Sequence, residues 1–166
     1  MRNLIGVVLG SRSDLAALQP AVRVLDEFQV PYEVTVASAH RSPERAAAYA
    51  RTARERGLKV IVAAAGAAAH LAGVLASHTT LPVVGLPLSG SPLGGVDALY
   101  ATVQMPPGVP VATVGVDAAA NAALLALRIL GGTDPGLAAR LEAYRRNLAA
   151  RVEEQAQELA EGGWRR

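Results

Sequence analysis

Apolar positions along the chain follow two patterns that alternate from end to end. Residues 4–9 form a short continuous apolar run that stops at Gly10, and after Ser-Arg-Ser-Asp a helical spacing continues to about Phe28. Residues 32–36 alternate as a strand until Ser38-Ala39-His40-Arg41-Ser42-Pro43 breaks the pattern. Pro43 and Glu44 open a second helix, because the fixed φ of proline suits a first turn and acids favour the positive end of the helix dipole. Residues 60–65 are apolar throughout, as in a parallel strand covered on both faces, and Gly66 then leads into an Ala-rich helix to about Ser77. A fourth strand is predicted at 82–86, a loop rich in Gly, Ser and Pro at 87–95, and a short helix around 97–103. A turn at 105–110 precedes a fifth strand at 111–116 and a helix at about 118–130, which Gly131 and Gly132 stop. The last segment, a helix at about 137–161, has apolar residues at 137, 141, 144, 148, 152 and 159, a helical stripe.

Alternation of this kind predicts an α/β fold, a three-layer α/β/α sandwich around a parallel five-stranded sheet with an extra C-terminal helix. No linker, repeat or low-complexity tract divides the chain, so residues 1–166 are expected to form one catalytic domain. The stripe on the last helix can dock on a neighbouring subunit or pack within its own. Open parallel sheets bind ligands outside the C-terminal ends of their strands, at the switch in strand order. The unusual residues of this chain lie there.

Composition narrows the function classes. Half of the chain is apolar but only 4% is aromatic, so Ala, Val, Leu and Gly must fill the interior. The absence of cysteine removes disulfides, thiolate nucleophiles and Cys-ligated metals together. The opening Met1-Arg2-Asn3-Leu4 runs straight into a strand pattern, so no signal peptide is expected. The longest apolar run, 60–76, contains Gly66, His70 and Gly73 and falls short of the roughly 20 residues of a membrane span. Net charge is +2, and Lys59 is the only lysine. Arg140, Arg145, Arg146, Arg151, Arg165 and Arg166 are interleaved with Glu and lack interleaved aromatics, which reads as a solvated helix face and not as a nucleic-acid site.

Three loops after strands carry the candidate chemistry. Gly10-Ser11-Arg12-Ser13-Asp14 opens a helix, whose unpaired N–H groups and positive dipole end suit phosphate. Ser11 and Ser13 can donate to phosphate oxygens, whereas Asp14 would repel phosphate and better accepts from ribose hydroxyls. Capping of the helix by Ser13 or Asp14 is the other reading. Ser38-Ala39-His40-Arg41 sets an imidazole, the usual two-way proton carrier near neutral pH, beside a guanidinium that grips phosphate or carboxylate in a fork. Ala64-Ala65-Gly66-Ala67-Ala68-Ala69-His70-Leu71 places small residues where a backbone can approach a ligand, and a helix starting there would aim N–H groups at an anion. Tight helix packing by Ala competes with that explanation, and His70 could be a hydrogen-bonded core histidine. His78 reads as a surface residue. The loop at 89–96, with Gly90, Gly94 and Gly95, is a candidate lid or pocket wall, while Gln104-Met105-Pro106 reads only as a turn.

Several chemistries lack their residues. No G-x-G-x-x-G follows the first strand, no P-loop lysine exists, and the three histidines have no paired carboxylate cluster. A phosphoacceptor receiver would want acids after the first and third strands, and the third ends in Ala and Gly.

Taken together these residues resemble the N5-carboxyaminoimidazole ribonucleotide mutase family of purine biosynthesis, in its bacterial form. The landmarks are Gly10-Ser11-x-Ser13-Asp14, Ser38-Ala39-His40-Arg41-x-Pro43, Ala65-Gly66-x-Ala68-Ala69-His70-Leu71, Gly95-Val96-Asp97-x-Leu99 and Val103-Gln104-Met105-Pro106, in that order. The resemblance implies a flavodoxin-like fold, a cytoplasmic homo-octamer, no metal and no cofactor. Its substrate is a small ribonucleotide, with CO2 passed within the site. It makes His40 the catalytic acid and base. Ser11, Ser13, Asp14, Ser38, Arg41, Gly66, Ala67, His70 and Leu71 become substrate-site residues. Ala67 stands where the family usually has Gly, and Ala72 where Pro is usual. Two other activities stay open on sequence: direct carboxylation of aminoimidazole ribonucleotide by CO2, and a non-catalytic ribotide-binding module.

Overall fold

The computed structural model describes residues 3–162 and 164. Met1, Arg2, Arg165 and Arg166, which entered the sequence reading, lie outside the described residues. Strands Ile5–Leu9 (β1), Tyr32–Val36 (β2), Val60–Gly66 (β3), Val83–Leu88 (β4) and Ala112–Thr113 (β5) pair in parallel in the order β2-β1-β3-β4-β5. This is the flavodoxin-like order, with its switch point between β1 and β3. Leu9, the last residue of β1, is in register with Val36, the last of β2, and with Ala64, two residues before β3 ends, so the loops after the three strands emerge side by side.

Alternate strand residues feed two cores. Ile5, Val7, Leu9, Val60, Val62 and Ala64 face α1 (Gln19–Glu27), α5 (Ala119–Gly131) and the start of α6 (Pro135–Ala160). Val8, Ile61 and Ala63 face α2 (Pro43–Ala53) and α3 (Leu71–Ser77), with α4 (Val96–Val103) beside α3 on the same side. Period-two alternation within fully apolar strands explains why both faces are buried. Few large side chains are needed because the helices lie close: Ala46, Ala47, Ala50 and Ala53 bury one face of α2. At Gly85 an added Cβ would overlap Thr102, and at Gly6 it would overlap the Tyr49 hydroxyl.

Four boundaries differ from the sequence expectation. Residues after Gly10 form a 3-10 helix, Arg12–Leu18, before α1 begins, because Pro20 would clash with a carbonyl four residues back in one continuous α-helix. The helix after β3 starts at Leu71, not after Gly66, since Ala67 adopts a left-handed φ of +50° that no α-helix accommodates. β4 runs on through Pro87 to Leu88. Proline is tolerated there because β5 has already ended on that side, where the Pro87 carbonyl accepts from the Asp117 N–H at 2.9 Å. β5 is two residues long, not six, because Asp117 turns to φ +55° and its carboxylate accepts the Ser89 N–H at 3.0 Å, drawing the chain off the sheet.

The terminal helix is capped by Asp134, whose carboxylate accepts the Leu137 N–H at 3.0 Å. Its stripe is divided. Leu137 is buried and Tyr144 meets Phe28 with ring centroids 5.6 Å apart, whereas Leu148, Val152 and Leu159 lie exposed. Among the described residues no helix is long and apolar enough to cross a membrane.

Candidate active site

The loops after β1, β2, β3 and β4 enclose a cavity of about 270 Å³ at the switch point. Its walls bring together Gly10, Ser11 and Asp14 from the first loop, Ser38, Ala39, His40 and Arg41 from the second, and residues 65–68 with Leu71 from the third. Of the residues singled out from sequence, Ser13 and His70 stand behind this wall and touch it through hydrogen bonds to lining residues. The Ser13 hydroxyl donates to Ser11 Oγ at 2.9 Å, and a ring nitrogen of His70 lies 2.9 Å from His40.

The first loop caps its own helix. Asp14 accepts the Ser11 N–H at 3.1 Å, and Ser11 Oγ accepts the Ser13 N–H at 3.4 Å. The capping reading and the ligand reading therefore do not compete, since capping holds the Ser11 hydroxyl and Asp14 carboxylate at the cavity edge.

The second loop is a hydrogen-bonded turn. Ser38 Oγ accepts the Arg41 N–H at 3.1 Å, and the Ser38 N–H donates to Ser42 Oγ at 3.0 Å. Pro43 then starts α2, so the turn has a fixed exit and His40 sits at its apex. Arg41 crosses to the first loop, donating from Nη2 to the Gly10 carbonyl at 3.2 Å.

In the third loop, tight bonds from Ala69 N–H to the Ala67 carbonyl and from His70 N–H to the Ala68 carbonyl, both 2.8 Å, replace the expected first helical turn. A seven-residue α3 beginning at Leu71 does not aim its N-terminus from Gly66, so the expected anion-binding helix end at 66–69 is corrected to a loop. Gly66 packs close to the fourth strand: a Cβ there would sit in van der Waals contact, 3.4 Å from the Leu88 carbonyl. His70 is exposed, not a core histidine, because the turn ahead of α3 swings it out to meet His40. Nε2 of His40 and Nδ1 of His70 are 2.9 Å apart, with the rings edge-on at 82°.

Gly90, from the loop expected as a lid or pocket wall, and Leu88 complete the wall; Leu88 was missed from sequence, where the fourth strand was ended too early. The loop at 89–95 is braced: Ser91 Oγ donates to Asp97 at 2.7 Å and Asp117 holds Ser89. Asp117 was also missed, although an acid directly after a strand-like run was visible. Gln104 and Met105 stand apart from the cavity, with Met105 packed over Gly73. His78 is half-buried and borders a separate surface recess with Arg51 and Arg54. Among the described residues no group of three or more His, Asp or Glu is placed to hold a metal.

The cavity thus offers a proton-carrying imidazole, a cation, a carboxylate and two hydroxyls around small apolar walls. Residues 4–151 match the family model described as AIR carboxylase. The chain is 54% identical over 163 residues to the N5-carboxyaminoimidazole ribonucleotide mutase of Pyrococcus horikoshii, covering 98% of this chain and 92% of that one. It is 51% identical over 162 residues to the phosphoribosylaminoimidazole carboxylase of Schizosaccharomyces pombe, of which it spans 29%. The crystal structure of Treponema denticola PurE, 26% identical, superposes with a TM-score of 0.85 over 95% of this chain and 99% of that one.

Proposed function

The chain belongs to the AIR carboxylase family, and on that premise we propose that it converts N5-carboxyaminoimidazole ribonucleotide to 4-carboxy-5-aminoimidazole ribonucleotide in purine biosynthesis. It is an isomerase of the mutase type. The observation that carries the reading is the full-length match to a mutase, joined to a strand-end cavity whose titratable wall residues are His40, Asp14 and Arg41.

The chemistry asks little beyond proton transfer and confinement. His40 as imidazolium gives its proton to the exocyclic nitrogen of the carbamate. The N–C bond breaks with its electron pair kept by nitrogen, and CO2 is released. The electron-rich ring carbon C4 attacks the CO2 carbon, forming the new C–C bond, and the C4 proton returns to His40. Atoms and charge balance, and the imidazolium is regenerated. Ser11 and Arg41 hold the phosphate, with Ser13 orienting the Ser11 hydroxyl, and Asp14 takes the ribose hydroxyls. Ser38 fixes the His40 turn, while Gly66, Ala67 and Leu71 form a small apolar wall where CO2 waits. Proximity replaces a second diffusive encounter, an effect worth several orders of magnitude in well-aligned cases.

The protein acts as a single catalytic domain in a cytoplasmic homo-oligomer, an octamer. Leu148, Val152 and Leu159 on α6 and Tyr100 on α4 are apolar and exposed in one chain, which supports burial between subunits. Light scattering of the purified protein measures the subunit count.

Supplying the carbamate nucleotide in one reaction, and aminoimidazole ribonucleotide with bicarbonate in another, tests the activity. Conversion of the carbamate to the carbon-carboxylated product, without ATP, is expected. Efficient use only of bicarbonate would make the chain a direct carboxylase, the activity named for the fungal relative. Binding without turnover in both would make it a non-catalytic ribotide module.

A further inference from the structure

We propose that His70 is a positioning residue that accepts the Nε2 proton of His40 and so makes Nδ1 of His40 the atom that carries protons to and from the substrate. The inference rests on the reading above that His40 is the shuttle, and it adds which nitrogen works and what holds it.

Nε2 of His40 lies 2.9 Å from Nδ1 of His70, and among the described residues neither ring has another side-chain hydrogen bond. A bond between two ring nitrogens holds one proton, so one ring donates and the other accepts. The shuttle must pass through its imidazolium form, in which both nitrogens are donors. Only an acceptor facing Nε2 survives that state. His70 must then be neutral, with its own proton on Nε2, and His40 must donate. When His40 gives up a proton and keeps the bond, the proton lost is the one on Nδ1. The opposite arrangement would break the bond once in every turnover.

The identity of the acceptor also has a physical reason. In hydrolytic triads a carboxylate orients the working histidine. Here the substrate carries a phosphate and a carbamate, and a second anion beside His40 would repel both and strengthen the hold of the ring on its proton. A neutral imidazole orients without adding charge. His70 is fixed for this task by its backbone bond to Ala68 at 2.8 Å and by the buried Leu71 that follows it.

The test uses the full-length protein and three variants. His70→Leu removes the acceptor, His70→Asn replaces it with an amide oxygen, and His70→Asp replaces it with a charged one. Asp14 and Arg41, the charged groups sharing the cavity with His40, stay unchanged throughout. With the carbamate nucleotide, His70→Leu is expected to lower kcat about 10–100-fold with KM changed less than about threefold, the scale at which orienting partners act. His70→Asn should recover most of kcat, and His70→Asp should move the alkaline limb of the pH profile, where His40 loses the proton it must donate, upward. Nitrogen-15 NMR of the unliganded wild type should find neutral His40 protonated on Nε2, with that proton hydrogen-bonded and protected from exchange, and the protection lost in His70→Leu. A wild-type proton on Nδ1 overturns the proposal. So does a His70→Leu variant with unchanged kcat and pH profile, or one in which only KM rises. The NMR result needs no turnover, so a wild type inactive on the carbamate would defeat the functional reading and leave this one to be decided separately.

Discussion

Ala67→Gly is expected to stabilise the protein, against the usual effect of adding a glycine. Ala67 lies at φ +50°, where an L side chain crowds the following carbonyl at a cost of about 1–2 kcal/mol. Glycine removes that cost. It also loosens the unfolded chain, which opposes folding by about 0.4–1 kcal/mol. The difference runs from nothing to about 1.6 kcal/mol, centred near ~0.8 kcal/mol. At roughly 2–4 °C per kcal/mol for a chain of this size, the melting temperature should rise by about 2–3 °C. Ala67→Val should fall by at least as much, because a branched side chain tolerates the left-handed region worse than alanine does. Calorimetry at one fixed protein concentration makes the comparison, since subunit association would otherwise shift the midpoint. A glycine variant that melts about 2 °C or more below the parent, or a valine variant that matches it, would refute a left-handed backbone at this position. The residue lines the cavity and its backbone keeps the same turn, so the glycine variant should also keep its activity.

Three further outcomes are expected. Glu33 is drawn in two directions: burial raises its pKa, but hydrogen bonds from Arg56 and Tyr49 and the Arg56 charge outweigh that and hold it below the usual carboxylate value. Its contribution is therefore present above the unfolded value of about 4.3 and lost as pH falls through the lower folded one. Arg56→Met should abolish the depression in an NMR titration, remove the guanidinium lying 4.4 Å from the Tyr49 ring centroid, and cost about 0.5–1.5 kcal/mol in urea unfolding near neutral pH. Arg41→Lys should raise KM about tenfold without altering the fold, because an ammonium lacks the fork that holds both the Gly10 carbonyl and a phosphate oxygen. His40→Asn should abolish turnover while circular dichroism and subunit count stay unchanged, the side chain being exposed and outside both cores.

Where the fold was legible, one local signal dominated. The continuous apolar runs of β1 and β3 announced strands buried on both faces, and Pro43 announced the start of α2. The rule that ligands sit beyond strand ends then placed Gly10, His40 and Gly66 near one another, and the cavity has all three in its wall. The illegible parts depend on distant contacts. Alanine-rich residues after Gly66 read as helix, but Gly66 is packed against the Leu88 carbonyl and the chain must turn before α3 can begin. The apolar run at 111–116 read as a full strand, but Asp117 is tied to Ser89 and shortens it. His70 read as a core residue or a ligand because its partner is 30 positions away in sequence. The Tyr49–Glu33–Arg56 cluster was equally hidden, since α2 carries Tyr49 over β2 in a register no local pattern specifies.

The account depends most on the carboxyl carbon staying in the cavity between leaving nitrogen and reaching C4. Carbamate nucleotide labelled with carbon-13 in its carboxyl group, supplied with excess unlabelled bicarbonate, measures this directly. The account predicts a product whose C4 carboxyl keeps the label at nearly its starting enrichment. Product diluted to the enrichment of the dissolved bicarbonate would show that CO2 escapes before it is recaptured, and would contradict the account.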